Sequence, residues 1–197
     1  MRRITTSTAL GLALAGLLGA LAGCGDRPAI LERQLDIRGP IVVGRHIIYM
    51  DRTRERMILV RPSQGEVSHV PVGRRPSFML PTPDHSRLLV VCKGWLATTT
   101  DEEDEAPSLY IIDPSTADAG FHELGSPFDE VAASDDNAYA VAFFSANAVP
   151  EETEVFRNPN AVAILDMATG EVTEKSVRSF GDVPRGVIFS PTTMSPD

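Results

Sequence analysis

The chain has 197 residues, 27 of them acidic and 18 basic, for a formal net charge of −9. That length holds one domain with a core of its own. Its negative surface is repelled by nucleic-acid phosphates and by anionic lipid, so attraction to either by charge is excluded.

Arg2 and Arg3 precede an apolar run from Ala9 to Ala22, the n-region and h-region of a signal peptide. The run falls short of the roughly 20 apolar residues that a membrane-spanning helix needs. Leu21-Ala22-Gly23-Cys24 follows, and this stretch resembles the lipobox of bacterial lipoproteins. The resemblance implies cleavage after Gly23 and a diacylglycerol on the Cys24 thiol. Residues 1–23 are then a helical signal peptide and 24–38 the lipid anchor and linker. The alternative is an ordinary secretory signal, whose Ala-x-Ala-like site Ala20-Leu21-Ala22 imitates. Gly25, not Asp, follows the cysteine; this departs from what resembles an inner-membrane retention signal and points to the outer membrane. Removing residues 1–23 takes away two arginines and no acid, moving the net charge from −9 to −11. Lipid, not a basic patch, is therefore what would hold the chain to a membrane, and two or more acyl chains anchor stably. With Cys24 so used, Cys92 has no intrachain partner. It ends the apolar run Leu88–Cys92 and reads as a small buried hydrophobe.

The mature part repeats itself. Met57–Pro62, Ser108–Pro114 and Val162–Asp166 align, placing Arg61, Asp113 and Asp166 at intervals of 52 and 53 residues. Each apolar run leads into a turn: Pro62-Ser63-Gln64-Gly65, Pro114-Ser115-Thr116-Ala117 and Met167-Ala168-Thr169-Gly170. A glycine and a proline follow in each copy, Gly73 with Pro76, Gly125 with Pro127, and Gly181 with Pro184. Thr82-Pro83-Asp84 and Ala133-Ser134-Asp135 then align as turns, before Leu88–Cys92 and Ala138–Phe144, apolar on both faces as doubly covered strands are. Strands are expected near 40–44, 46–50, 57–61, 67–72, 77–81, 88–92, 108–112, 120–124, 129–133, 138–144, 161–165, 172–177 and 186–190.

Four short strands per copy of about 40–50 residues is the pattern of a β-propeller blade. Val70-Pro71-Val72-Gly73, Thr82-Pro83-Asp84, Ile164-Leu165-Asp166 and Thr169-Gly170-Glu171-Val172 resemble the YVTN-type, WD-like propeller repeat, although no YVTN tetrapeptide occurs. The fold expected is all-β, a partial propeller over residues 39–197, with copies at 39–74, 75–125 and 126–182 and an incomplete one at 183–197. A β-sandwich is the alternative. Propellers close with about four to eight blades, so the chain is expected to be the front of a longer propeller or to pair with another copy. Residues 25–197 alone are then expected to aggregate or dimerise.

In a blade, the strand two-to-three loop and the link to the next blade share one face. Here they carry Asp51–Arg56, the acidic run Asp101, Glu102, Glu103, Asp104 and Glu105, then Glu151, Glu152, Glu154 and Arg157. Arg74, Arg75 and Arg185 join from the links, and Asp129 and Glu130 open an inner strand. This composition suits a docking face for a cationic partner or a calcium ion, but solvated loops that keep a strand-rich protein soluble are the plainer reading. No EF-hand spacing is present, and no metal or cofactor is expected. There is no Gly-x-Ser-x-Gly elbow, His-Glu-x-x-His, phosphate loop or Cys-x-x-Cys. His46, His69, His85 and His122 share no ligand spacing, and Trp95 either stacks on a sugar or quinone or caps the core. The inner stretches Ser77–Leu80, Val131–Ala133 and Val187–Phe189 are apolar apart from Ser77. The function expected is therefore a lipid-anchored binding or scaffold module of the bacterial cell envelope, with a protein or polymer partner at the loop face. The alternative is the N-terminal part of a propeller enzyme, lactonase-like or quinoprotein-like, with its catalytic residues outside this stretch.

Overall fold

The computed structural model describes residues 34–96, 103–145 and 161–176. Strands β1 (Ile37–Val43), β2 (His46–Asp51), β3 (Arg56–Arg61) and β4 (Glu66–Pro71) form a first antiparallel sheet in chain order. A second sheet holds β5 (Pro76–Pro81), β6 (Leu88–Cys92), β7 (Ser108–Asp113) and β8 (Asp118–Glu123). A third holds β9 (Glu130–Ala133), β10 (Tyr139–Phe143), β11 (Ala161–Asp166) and β12 (Val172–Ser176). No helix occurs among the described residues. The first strands of successive sheets lie together, β1 beside β5 and β5 beside β9, and the sheets stack face to face outward from them. The fold is all-β, a partial β-propeller of three blades. The expected signal helix and the strand near 186–190 lie outside the described residues.

Strand β6 shows why the sequence builds this stack. All five of its residues are buried, because period-two alternation sends Leu88, Val90 and Cys92 into one core and Leu89 and Val91 into another. The first core joins them to Val43, Ile48, Met50, Met57, Leu59 and Val70 of the first sheet. The second joins Leu89, Val91 and Leu109 to Val131, Ala140, Ala142 and Leu165 of the third. Each fully buried aliphatic side chain contributes about 1.5–3 kcal/mol, so a doubly covered strand clamps three sheets together. Apolar burial lifts the Cys92 thiol to about 12, which leaves it inert as a nucleophile. Polar bridges add to the junction of the second and third sheets, where the Gly125 N–H donates to Glu174 and His122 Nδ1 meets Gly170 O at 3.1 Å.

The free face of the first sheet is also apolar. Val42, Ile47, Val60 and Val67 pair across β1 to β4 in one row, and its outer members Val42 and Val67 are exposed. Strand β1 begins earlier than expected, because Ile37 and Arg38 pair with Asp51 and Met50 ahead of a bulge at Gly39-Pro40.

The turns opposite the loop face repeat in atomic detail. Thr82 Oγ1 donates to Asp84 Oδ1 at 2.6 Å and accepts the Arg87 N–H at 3.0 Å. Ser134 Oγ likewise donates to Asp136 Oδ1 at 2.6 Å and accepts the Tyr139 N–H at 2.9 Å. Thr82 therefore corresponds to Ser134 and Asp84 to Asp136. The alignment of Thr82-Pro83-Asp84 with Ala133-Ser134-Asp135 is corrected by one residue, since the hydroxyl that plugs the hairpin end sets the register. Asp113 and Asp166 cap the next turns, accepting Ser115 N–H at 2.8 Å and Ala168 N–H at 2.9 Å. The β3–β4, β7–β8 and β11–β12 turns place Gly65, Ala117 and Gly170 at φ of 64°, 61° and 77°, the left-handed region in which glycine carries no Cβ penalty.

These caps make the fold acid-sensitive. The Thr82 and Ser86 hydroxyls and the Ser86 N–H hold the Asp84 carboxyl down to about 2. Similar bonds hold Asp113, Asp136 and Asp166 below the ordinary carboxylate value. A lowered folded-state pKa lends stability above the unfolded value and loses it as pH falls through the folded one. Burial, then Arg61, likewise lowers His46, which starts a shallower loss below about pH 6.5. Urea midpoints are expected to fall slightly below about pH 6.5 and steeply below about pH 4. Asp84→Asn should flatten the lower limb only; an unchanged lower limb in that variant would contradict the assignment.

Candidate functional site

The loop face is built where the β4–β5 link, residues 72–75, meets the β6–β7 loop. Gly73 permits that approach, and Gly94 lets the β6–β7 loop fold back on itself. A Cβ on Gly73 would stand 2.8 Å from Ser108 Oγ and 3.1 Å from Glu105 Oε1. Gly94, at φ +73°, would place one 2.3 Å from Glu105 O. Trp95 and Glu105 form a two-residue antiparallel bridge, each N–H donating to the other's carbonyl at 2.8 Å. The Lys93 N–H donates to Arg75 O at 3.1 Å and the Gly94 N–H to Arg74 O at 3.1 Å.

Arg74 and Glu105, one from the basic link and one from the acidic run, come together in this frame. The Arg74 N–H donates to Glu105 Oε1 at 2.8 Å, Arg74 Nε stands 3.6 Å from Glu105 Oε2, and the guanidinium lies 5.9 Å from the Trp95 ring centroid. Both charged side chains are about two-fifths exposed, and such ion pairs contribute about 0–1 kcal/mol. The backbone bonds and the two glycines therefore fix the cluster, and the charges remain available to solvent. Its chemistry is that of recognition: an aromatic face for stacking, a guanidinium that donates and a carboxylate that accepts.

Among the described residues, Arg75, Glu103 and Asp104 flank this cluster, and Asp129 and Glu130 lie at the start of β9. Arg75 takes φ of 56° and spends its carbonyl on Lys93. Glu103 and Asp104 are exposed along the same loop. Asp129 accepts the Ser145 N–H at 2.5 Å, while Glu130 pairs with Phe143 in the β9–β10 ladder. Asp101, Glu102, Arg185 and Cys24 lie outside the described residues, as do Glu151, Glu152, Glu154 and Arg157. The basic segment Asp51–Arg56 is internally neutralised. The fully buried Asp51 carboxylate meets Arg56 Nε at 3.1 Å and Arg54 Nη1 at 3.5 Å, and Arg52 Nη1 donates to Asp36 at 2.7 Å. Among the described residues no three metal-ligating side chains come together, and no helix is long and apolar enough to cross a membrane.

Sequence reasoning missed a polar groove of about 440 Å³ at the opposite end of the first two sheets, lined by residues that include Arg45, His46, Arg61 and His85. Its signal was in the repeat: Arg61 stands where the other copies have the turn-capping Asp113 and Asp166.

The architecture is that of a β-propeller segment carrying a loop-face cluster. No protein-family model matches the chain, and no curated protein sequence matches it. Among solved structures it is similar to the hydrazine synthase of Kuenenia stuttgartiensis at 17% identity and a TM-score of 0.49, over 72% of this chain and 36% of that one. An oligogalacturonate lyase in complex with manganese matches at 16% identity and a TM-score of 0.49, over 72% and 36%. A putative 6-phosphogluconolactonase from Bacteroides fragilis matches at 15% and 0.42, over 74% and 38%. The chain thus spans little more than a third of the length of each of these, and none of them assigns it an activity.

Proposed function

We propose that this chain is a lipid-anchored binding or scaffold module of the bacterial cell envelope, tethered through Cys24 in the outer membrane and holding a protein or polymer partner on its loop face. The observation that carries the binding role is the Arg74–Trp95–Glu105 cluster, a stacking surface with a donor and an acceptor fixed from below by backbone bonds. The lipobox resemblance of Leu21-Ala22-Gly23-Cys24 supports the tether. Cys24→Ala should abolish labelling by a clickable palmitate analogue and move the protein into the soluble fraction. Unchanged membrane association of that variant overturns the tether. Trp95 is the chain's single tryptophan, so its fluorescence reports the loop face directly. Purified envelope polymer or partner should quench or shift it in the wild type and act more weakly on Arg74→Glu. Equal responses from both proteins overturn the binding role.

A further inference from the structure

At the end of the molecule opposite the loop face, the turns of the first and second sheets enclose the groove of about 440 Å³. Arg61 departs here from its structural counterparts. Asp113 and Asp166 cap their own turns. Arg61 also bonds its own turn, through Nη1 to Gln64 Oε1 at 2.7 Å and Glu66 at 3.5 Å, but its Nε donates to His46 Nε2 at 3.0 Å and its Nη2 reaches Ser115 O of the next sheet at 3.4 Å. A guanidinium donates only, so His46 Nε2 must be an acceptor and the ring proton must sit on Nδ1. Burial and the Arg61 charge disfavour a second proton, which keeps this tautomer in place at neutral pH. His46 is 93% buried (7% relative exposure) yet lines the groove, and its Nδ1 makes no hydrogen bond with any described residue.

Beside it stands Arg45 in the β1–β2 turn, exposed and with no ion-pair partner among the described residues. His85 enters from the β5–β6 turn. Asp113 is the carboxylate among the lining residues, and its Oδ1 already accepts the N–H and hydroxyl of Ser115 at 2.8 and 2.6 Å. The wall therefore offers one unpaired cation and one N–H on the groove side, against an acceptor that is partly spent. A planar oxyanion satisfies both donors, and hydrogen bonds to an ionised group are the strong ones. The geometry points to a second binding site in this interblade groove, which takes a carboxylate group between the Arg45 guanidinium and His46 Nδ1–H.

This site is separate from the loop-face cluster and stands or falls independently of it. The test is an NMR titration of the full chain with sodium acetate at fixed ionic strength, followed at the amides of Gly44–His46 and Ser115 and at the His46 ring. The expected result is saturable shifts confined to those positions, and Arg45→Ala should weaken binding about tenfold. Arg45 is an exposed turn residue, so that variant should melt like the wild type. Arg38→Ala, an exposed arginine paired with Asp36, should bind acetate unchanged. Shifts that fail to saturate by about 100 mM, or equal affinity in Arg45→Ala, overturn the proposal.

Discussion

Replacing Phe128 with alanine is expected to cost about 3–5 kcal/mol, out of the roughly 5–15 kcal/mol that holds a domain folded. Phe128 lies in the link between the second and third sheets, outside any strand, and is completely buried. Its ring sits 4.8 Å from that of Phe144, tilted by 44°, within the core that also holds Leu124, Val131 and Ala142. Truncation leaves a cavity where two sheets and their link converge, and the sheets are held by their hydrogen-bond ladders, so the site collapses little. Phe128→Met, nearer in volume, should cost about 1.5 kcal/mol or less. Phe121 is 54% exposed and touches Tyr110 edge-on, so Phe121→Ala should cost no more than about 1 kcal/mol. Urea unfolding of the three variants checks the order. Comparable losses for Phe128→Ala and Phe121→Ala would show that the junction is not the packed core described.

Gly94→Ala is expected to cost about 2–4 kcal/mol, from left-handed strain together with overpacking. The atoms in the way are backbone: Glu105 O at 2.3 Å, Pro107 N at 2.7 Å and Ala106 C at 2.8 Å. No side-chain rotation relieves them, so the two limbs of the β6–β7 loop must spread apart. The Trp95–Glu105 bridge would break with it, and Trp95 fluorescence should shift to the red before global unfolding. Gly120 supplies the contrast, since a Cβ there meets nothing nearer than 3.6 Å. Within β8, Gly120→Ala should be neutral or add about 0.5–1 kcal/mol. A Gly94→Ala protein with wild-type stability and emission would mean that this glycine does not seat the loop.

Much of the fold is legible in the residues. Leu88–Cys92, apolar at every position, reads as a strand covered on both faces, and the recurrence of the Ser108–Asp113 pattern at Ala161–Asp166 reads as a repeated sheet. The register of the turns is less legible, because Ser134-Asp135-Asp136 offers two carboxylates and only hydrogen-bond geometry selects Asp136. Charge is the hardest to read. Asp51–Arg56 has the composition of a solvated basic loop, yet Asp51 turns inward and gathers Arg54 and Arg56 around it. Pairing is a three-dimensional property that composition does not carry. Trp95 and Arg74 were each visible as candidates. Their meeting depends on Gly73, where link and loop cross, and on Gly94, where the loop folds back on itself; neither need shows before the chain is folded.

The proposed role has a membrane-tethered chain meeting its partner through the Arg74–Trp95–Glu105 face. The most direct test is photo-crosslinking in cells, with p-benzoyl-phenylalanine placed at Trp95 in the full, anchored chain and, separately, at Phe121 on the exposed surface of β8. A discrete adduct is expected from the Trp95 position, abolished by Arg74→Glu, and none from the Phe121 position. No adduct at Trp95, or the same adduct from both positions, would contradict it.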